Sequence, residues 1–554
     1  MVYLLSLLAL TLNPAIWRTY GRSKGFLIIQ ALRLLIGLAI VFFFNYFVLV
    51  DHTIQALISY GLFIWAIFLF ADGIFIKAKR FYATPLVGLL CALAGAYMVF
   101  VYPLTLADDK YAFVNAKAKV ISGKTDSVDE KHIPVVPEEY ARYRSEKLLG
   151  ELPHSSYYDL GDSTLQKIDG TLYWVTPIEY TGFFKWLKAD AVPGYIKMNA
   201  EDENAEPEWI KTDMVYIPSA YFGQDLKRHV RAGHPSEILL DPSFEPDDNG
   251  HPYYVVPYGK YNKFRNILDI KGIYLVDPKT GAVKSYPMGR VPAFVDQVIP
   301  TKVAEDWNDW YGRYVHGFWN AHFSQEDVKL PTHWKGQDEV NGVFDHRLAL
   351  NWFTDFTRPK SGSGSMVGFS MINARTGALY YYKDANGTLN GKSAMNVAEK
   401  TFRAQKYVAG TPTVYMIYGQ FTWVVPLMDS NHVLREMMLI NAKDEKVYSA
   451  GEIKRKLFDD YKYALATKMG NDRTIPTDVA DLKTLSGIVT HVYKAESDHG
   501  TITKFMIKGS DKIFEVSSSD FPYSIFLEKG VKVEIKYIDT DEVVATVDDF
   551  KMSP

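Results

Sequence analysis

Cysteine is almost absent from this chain of 554 residues, because Cys91 is the only one. A single cysteine excludes a disulfide within the chain, and its place inside an apolar run excludes a cysteine-based metal site in the polar part. An excess of positive charge is missing too, since 61 Lys and Arg face 64 Asp and Glu. Nucleic-acid binding needs a clustered basic excess, so no nucleic-acid partner is expected. An exported protein without disulfides is typical of bacteria or their phages.

Motifs of metal, nucleotide and acyl-transfer chemistry are missing as well. The 13 histidines are scattered, and no His-Glu-x-x-His pair occurs. Asn390-Gly391-Lys392-Ser393 lacks the leading glycine of a phosphate loop, so we interpret it as the start of a helix. The Gly/Ser-rich run 358–365 matches no nucleophile elbow and is interpreted as a flexible loop. No catalytic residue, metal ligand or cofactor is therefore predicted.

Long apolar runs are present near the N-terminus. Residues 25–50, 54–76 and 83–106 are each long enough to span a bilayer, which takes about 20 residues. Basic residues at 17–24 and 77–82 predict that these two segments face the cytoplasm. Residues 51–53, and everything after about residue 108, would then be extracytoplasmic. Residues 1–16 fit either a short fourth span or an interfacial helix. The prediction is a multi-pass anchor in the cell membrane.

Two charged residues, Arg33 and Asp72, lie inside these spans. One interpretation is a path for ions or protons, which would make transport a third candidate function and would require oligomers, since three spans are few. The other is an ion pair between two helices, or a snorkelling arginine. We favour the second interpretation, because one pair does not form a relay.

Residues 107–170 are predicted to connect the anchor to the rest of the chain. The polar stretch 107–135 is typical of an extended strand or linker. Pro137-Glu138-Glu139 then predicts a helix to about residue 149, since proline is favoured in the first turn.

Residues 171–450 contain a repeated pattern, clearest at 421–448. Related stretches occur at 173–199, 253–286 and 366–382, the third showing only its second half. Each has an aromatic-Val-x-Pro strand, a polar gap and an apolar strand that ends at Asp or Asn. Asp277-Pro278-Lys279-Thr280-Gly281 and 373–377 predict tight turns between strands. Amphipathic segments at 219–230 and 393–402 predict helices, which gives an α+β unit.

This order of helix, Trp-Val strand and Asp-x-Thr-Gly hairpin resembles the PepSY-type domain. Several such units behind membrane spans also resemble large uncharacterised membrane proteins of bacteria and their phages. The resemblance covers about 170–450, implies a binding or inhibitory module at an envelope surface, and supplies no active-site residue. PepSY proteins with haem-dependent reductase activity have histidines inside their spans. Here only His52 lies near a span, so this branch is not supported.

A dense aromatic patch lies between the second and third units. It contains the candidate ligand surface Trp307, Trp310, Tyr311, Tyr314 and Trp319. One interpretation is a stacking platform for a sugar or peptide. The other is a helix whose Trp310, Tyr314 and Phe318 pack into the core at four-residue spacing, and we favour it.

The C-terminal part is predicted to be a helix at 452–469, a linker to 478, and five strands within 479–554. These strands resemble a small OB-like barrel. Acidic residues outnumber lysines there and arginine is absent, which argues against phosphate contacts.

The sequence as a whole predicts a membrane-anchored extracytoplasmic scaffold or binding protein and favours a non-enzymatic role. Its repeats would present surfaces to an envelope protein or peptide, alone or as a homo-oligomer. The alternative is an envelope hydrolase, or a regulator of one, with the 307–320 patch as its substrate surface.

Overall fold

Three apolar helices open the described chain, and a mostly β region with several sheets follows them. The structure is a computed structural model that describes residues 24–75, 83–122, 127–333, 340–359, 364–469, 482–497, 500–518, 520–538 and 543–553. The expectations for residues 1–16 and for the basic segment 77–82 lie outside these ranges, as does half of the loop 358–365.

The apolar helices are long and apolar enough to cross a membrane, over Lys24–Tyr46, Ile54–Asp72 and Thr84–Thr105. We label them α1 (Lys24–Tyr46), α2 (Ile54–Phe75) and α3 (Ala83–Ala96), and the third span continues through a π turn (Tyr97–Val101) and α4 (Tyr102–Thr105). An added Cβ at Gly95 would lie 2.9 Å from the ring of Phe63. Small residues thus let α2 and α3 approach closely.

The segment after the third span begins as a helix, not as the expected strand or linker. Helix α5 (Ala107–Asn115) has Asp108 and Asp109 in its first turn, where acidic residues complement the helix dipole. The first strand, β1 (Ala118–Ile121), follows it and pairs in parallel with a strand of the third repeat. The expectation of an extended start was wrong because the polar composition of α5 concealed its buried Val114.

Four repeats of one topology follow. Each has a helix, an edge strand broken into two pieces, and three further strands, and each forms its own sheet. Repeat 1 (residues 135–214) has α6 (Glu138–Glu151), β2 (Tyr158–Leu160), β3 (Thr164–Ile168), β4 (Thr171–Tyr180), a short α7 (Phe183–Lys188), β5 (Val192–Asn199) and β6 (Glu208–Met214). Repeat 2 (residues 215–287) has α8 (Leu226–Gly233), β7 (Ile238–Leu239), β8 (Ser243–Phe244), β9 (Tyr254–Lys263), β10 (Asn266–Val276) and β11 (Val283–Pro287).

The third and fourth repeats have the same order of elements. Repeat 3 (residues 298–382) has α9 (Thr301–Arg313), a short α10 (Gly317–Trp319), β12 (Leu330–Pro331), β13 (Asn341–Phe344), β14 (Leu350–Thr357), β15 (Gly368–Asn373) and β16 (Leu379–Tyr382). Repeat 4 (residues 389–451) has α11 (Gly391–Thr401), β17 (Val408–Ala409), β18 (Thr413–Ile417), β19 (Gln420–Met428), β20 (Leu434–Asn441) and β21 (Tyr448–Gly451).

The central strands of all four repeats pair in one register. The aromatic residue of the first central strand faces an apolar residue of the next: Trp174 and Met198, Tyr254 and Val276, Trp352 and Ile372, Trp423 and Ile440. Strand β14 therefore supplies the first half of the third unit, which its sequence does not reveal because Asp355 stands where the other repeats have proline. Repeat 1 likewise begins at residue 135, within the stretch expected to be a connector.

The second of these strands ends in an Asx turn in every repeat. The side-chain oxygen accepts the backbone N–H two residues further on, in Asn199, Asp277, Asn373 and Asn441. In repeats 1, 3 and 4 the carbonyl of the next residue accepts an N–H from the residues just before the helix, in Ala200, Ala374 and Ala442. In repeat 2 the carbonyl of Pro278 accepts the N–H groups of Val215 and Tyr216, which lie well ahead of α8. The turn thus ties each sheet to the segment that leads into its helix.

Helix starts match the sequence unevenly. The side chain of Asn390 caps α11 by accepting the N–H of Ser393 at 2.9 Å, as a helix start requires. The helix expected from residue 219 begins only at Leu226. The helix begins there because the side chain of Asp225 caps it by accepting the N–H of Arg228. A single 3-10 turn (Phe222–Gln224) precedes the cap.

Each repeat packs against the next one along the chain. Rings of Tyr195 and Phe244 join repeats 1 and 2 at 5.2 Å, and rings of Phe353 and Trp423 join repeats 3 and 4 at 5.7 Å. Repeats 2 and 3 share a core that includes Val255 and Trp307.

The C-terminal part consists of a helix and five strands. Helix α12 (Lys454–Met469) buries Phe458 and Tyr461 in the core of repeat 4, so it completes that repeat. The linker expected up to residue 478 lies outside the described residues. The strands are β22 (Leu482–Ser497), β23 (Gly500–Ile507), β24 (Ile513–Ser517), β25 (Lys532–Ile538) and β26 (Val544–Ser553). They pair in a closed ring, in the order β22, β23, β24, β26, β25.

Candidate binding cavity between the four repeats

A tryptophan ties the sheet to the helix start in three repeats. The indole N–H of Trp174, Trp352 and Trp423 donates to the carbonyl of Val136, Ile299 and Leu389, at 2.7, 2.7 and 2.9 Å. Each acceptor is the residue just before the helix cap. Repeat 2 has Tyr254 at this position, and its hydroxyl donates instead to Glu179 of repeat 1. In the three repeats with tryptophan, the hydrogen bond from the indole holds the ring in place and satisfies a buried carbonyl.

The edge strand of every repeat is broken opposite the same residue. The first residue of the break donates its N–H to that residue at 2.8–2.9 Å, in the pairs Gly161 and Pro177, Leu240 and Pro257, Thr332 and Asp355, Gly410 and Pro426. The N–H and C=O of a strand residue point to the same neighbour, so a proline accepts there and donates nothing. The edge strand then leaves the ladder.

Asp355 replaces this proline in repeat 3. Burial raises the pKa of its carboxyl to about 6, while hydrogen bonds from the amides of Gly391 and of Asp355 itself lower it. The carbonyl of Asp355 still accepts the N–H of Thr332, as the proline carbonyls do in the other repeats. The break is therefore preserved without a proline.

The four breaks open onto one cavity of about 660 Å³. This volume lies within the usual range for small-ligand sites, about 300–1,000 Å³. Its lining from the breaks and the strands after them includes Ser163, Thr164, Pro242, Ser243, Val340, Asn341, Thr411 and Thr413. The anchored Trp174 and Trp352 line it too, as do the helix starts at Pro137 and Pro300. Every repeat thus contributes to a single space.

The charged residues around the cavity are mainly acidic. The lining contains four acidic residues, Glu138, Glu139, Asp162 and Asp241, and two basic ones, Arg142 and Lys302. The guanidinium of Arg142 donates to the carbonyls of Leu160 and Gly161, which fixes it at the first break. The ammonium of Lys302 lies 2.9 Å from the carboxylate of Glu305, and Asp241 is likewise paired, since it accepts from the ammonium of Lys227 at 2.5 Å. Among the other charged lining residues, Glu138, Glu139 and Asp162 outnumber Arg142. A positively charged ligand is therefore favoured electrostatically.

A pair of buried carboxyls supports the wall at repeat 2. Glu245 accepts hydrogen bonds from the hydroxyl of Ser243, at 2.6 Å, and from the amide of Asp296, at 2.7 Å. Burial, and after it the charge of Asp296, raises the pKa of Glu245 to about 8. Burial also raises the pKa of Asp296 to about 6, although the amide and the ammonium of Lys167 lower it. Glu245 is therefore mainly protonated at neutral pH.

Lys454 closes the circle of repeats by joining α12 to repeat 1. Its ammonium donates to the carbonyls of Lys131, Ile133 and Glu201, at 2.8, 2.8 and 3.1 Å. Burial lowers the pKa of Lys454 to about 8, although nearby carboxylates oppose this. Repeat 4 therefore contacts repeat 1, so the four repeats surround the cavity, which stays open to solvent.

The aromatic patch at 307–320 does not form one surface. Trp307 and Tyr311 are buried, with 1% and 5% of their surface exposed, whereas Trp319 is 72% exposed. Trp310 and Tyr314 are half-buried beneath the ammonium of Lys110, which lies 5.6 and 5.8 Å from their ring centres. Of the core face expected from Trp310, Tyr314 and Phe318, Trp310 packs against the core of repeats 2 and 3. The expectation was wrong for the helix itself, because α9 ends at Arg313 and its buried face is Val303, Trp307 and Tyr311.

Arg33 and Asp72 meet inside the anchor. The guanidinium of Arg33 donates to the carboxylate of Asp72 and lies 4.9 Å from the ring centre of Phe68. Both charged residues are buried between α1 and α2. This arrangement is that of an ion pair joining two helices.

No protein-family model matches the chain, and no curated protein matches it. Within the described residues, no group of three or more His, Cys, Asp or Glu could hold a metal ion. The cavity is the site that sequence reasoning missed. Its signal in the sequence is the proline of the aromatic-Val-x-Pro pattern, because a proline cannot donate to the neighbouring strand at that point.

Proposed function

We propose that this protein is a membrane-anchored, extracytoplasmic binding protein whose four repeats enclose a cavity for an extended, basic peptide segment of an envelope protein. The observation that carries the proposal is the convergence of all four strand breaks on one space. Each break leaves edge-strand backbone outside the ladder, and an extended peptide recognises such backbone by main-chain hydrogen bonds. The acidic lining supplies the preference for basic side chains.

The helix-plus-sheet order of each repeat supports the PepSY-like relationship, and with it a role in binding or inhibition. The basic segments at 17–24 and 77–82 support the extracytoplasmic orientation. We also infer an OB-like C-terminal barrel, supported by the long β22, which pairs with β25 through its first half and with β23 through its second. The alternative, an envelope hydrolase using the 307–320 patch, loses support because Trp307 and Tyr311 are buried.

Fluorescent nonapeptides of basic, neutral and acidic composition, titrated onto the detergent-solubilised full chain, test this function. Basic peptides are expected to bind most tightly. Glu139→Lys combined with Asp162→Lys should weaken their binding roughly tenfold or more, or about 1.4 kcal/mol. Thr413→Trp should abolish binding by filling the cavity.

Glu151→Lys combined with Glu326→Lys is the matched control, since it makes the same charge change at two exposed positions outside the cavity, the first of them on the same helix as Glu139. It should leave peptide affinity unchanged. Equal affinity for acidic and basic peptides, or unchanged binding in Thr413→Trp, would contradict the proposal.

A further inference from the structure

Two clusters of apolar side chains are exposed on the repeats. The first aromatic cluster consists of Phe184, Leu187 and Phe222, which are 73%, 62% and 53% exposed. The second aromatic cluster consists of Trp319 and Phe323, both 72% exposed. Isolated exposed apolar residues need no explanation, but grouped ones mark interaction sites.

The first aromatic cluster lies at the end of the first span. The rings of Phe222 and Tyr46 are 6.4 Å apart, and Tyr46 is the last residue of α1. Arg228 fixes this contact, since its Nε donates to the Tyr46 carbonyl at 3.0 Å and its guanidinium lies 4.2 Å from the Tyr46 ring centre. Phe47, itself 61% exposed, packs on Tyr46 at 5.1 Å. The apolar surface of the span thus continues onto the cluster.

The second aromatic cluster lies at the end of the third span. Trp319 and Phe323 stack at 5.6 Å on a segment that begins at Gly317. An added Cβ at Gly317 would lie 2.6 Å from a carboxylate oxygen of Asp108. Asp108 comes three residues after Thr105, where the third span ends, a distance of about 5 Å along a helix. This cluster is therefore at the level where the chain leaves the membrane.

Both clusters are on the same side of the anchor. The loop between α1 and α2 contacts repeat 2, because the N–H of His52 donates to the carbonyl of Pro235 at 2.8 Å. The end of α1, the end of the third span and the repeats therefore share one face of the bilayer.

We propose that the two aromatic clusters insert into the interfacial layer of the same bilayer that holds the spans, so that the repeats rest on the membrane at two points. Trp and Phe are favoured at this depth, where an apolar ring meets headgroups. Lys188, exposed at the end of α7, stands where it can approach lipid phosphates. The occupant is lipid because the span surface runs directly into the first cluster.

The full chain in lipid nanodiscs tests this contact. In a Cys91→Ala background, Phe184→Cys and Phe323→Cys each carry an environment-sensitive fluorophore, and the lipids carry a nitroxide near the headgroup end of the acyl chain. Both labels should lose most of their fluorescence. Leu187→Cys and Trp319→Cys provide a second position in each cluster if the first variant does not fold.

Tyr523→Cys is the matched control, since Tyr523 is 74% exposed but lies in the C-terminal barrel. Its label should retain its fluorescence. Unquenched labels in both clusters would overturn the proposal, and so would equal quenching at position 523. Quenching that needs two chains in one nanodisc would assign the clusters to a second copy instead and would also overturn it.

Discussion

The guanidinium of Arg265 donates to both carboxylate oxygens of Asp51, at 2.9 and 3.1 Å, although the two residues are 214 positions apart. Asp51 lies in the short loop between two spans, and Arg265 lies at the tip of the β9–β10 hairpin. The backbone N–H of Arg265 also donates to the side chain of Gln55 at 3.0 Å. The anchor and the repeats are therefore joined by a defined interface as well as by the chain itself.

Arg265→Ala should loosen this interface. Asp51 is 5% exposed, so loss of its partner leaves a buried carboxylate without its charged donor, at a cost of roughly 2 kcal/mol. Hydrogen exchange of residues 49–55 in the full chain should become faster. Arg347→Ala, on the exposed turn before β14, is the control and should have no effect there. Unchanged exchange in Arg265→Ala would show that the ion pair does not hold the anchor.

Trp423→Phe should lower the free energy of unfolding by roughly 1–3 kcal/mol, because the carbonyl of Leu389 loses its indole donor in a buried place. Trp174→Phe and Trp352→Phe should act in the same direction, since both make the equivalent bond. Denaturant unfolding of the full chain in detergent measures the effect. Trp319→Phe, at an exposed ring, should change stability little; a loss as large as that of Trp423→Phe would contradict this account.

Glu245 predicts a stability that falls as pH rises. Its pKa is about 8 in the folded protein against an ordinary 4.5, so its contribution is fully present below pH 4.5 and is lost between there and pH 8. The loss is about 1.4 kcal/mol per unit of pKa difference. Thermal unfolding as a function of pH should show this slope, and Glu245→Gln, which resembles the protonated form, should remove it between pH 6 and 8. Exposed Glu326→Gln should leave it intact.

Asp72→Leu should destabilise the anchor strongly, because Arg33 would remain buried without its carboxylate partner. Removing one member of a buried ion pair typically costs about 3–5 kcal/mol. Arg33→Leu combined with Asp72→Leu should recover much of this loss, since two apolar residues can pack where the pair was. Melting of the detergent-solubilised protein measures both variants. A double variant no more stable than the single one would argue for a function of the charges beyond packing.

The sequence by itself determined the features that arise from neighbouring residues. Unbroken apolar runs fixed the three spans, since only a bilayer or a core can accept them. Asp277 and Asn373 fixed two turns, because an Asx side chain bonds the backbone next to it. The five C-terminal strands were likewise predictable from neighbouring residues.

Only the tertiary structure decided what joins distant residues. Three prolines and Asp355, which takes the place of the fourth, lie far apart in the chain. Whether their strand breaks share one cavity depends on how the repeats pack. The burial of Trp307 and the exposure of Trp319 likewise depend on where α9 ends and which core covers it. The local sequence pattern does not decide which face of a helix or strand is buried, because that depends on packing between distant residues. The cavity could therefore not be predicted from any single stretch of sequence.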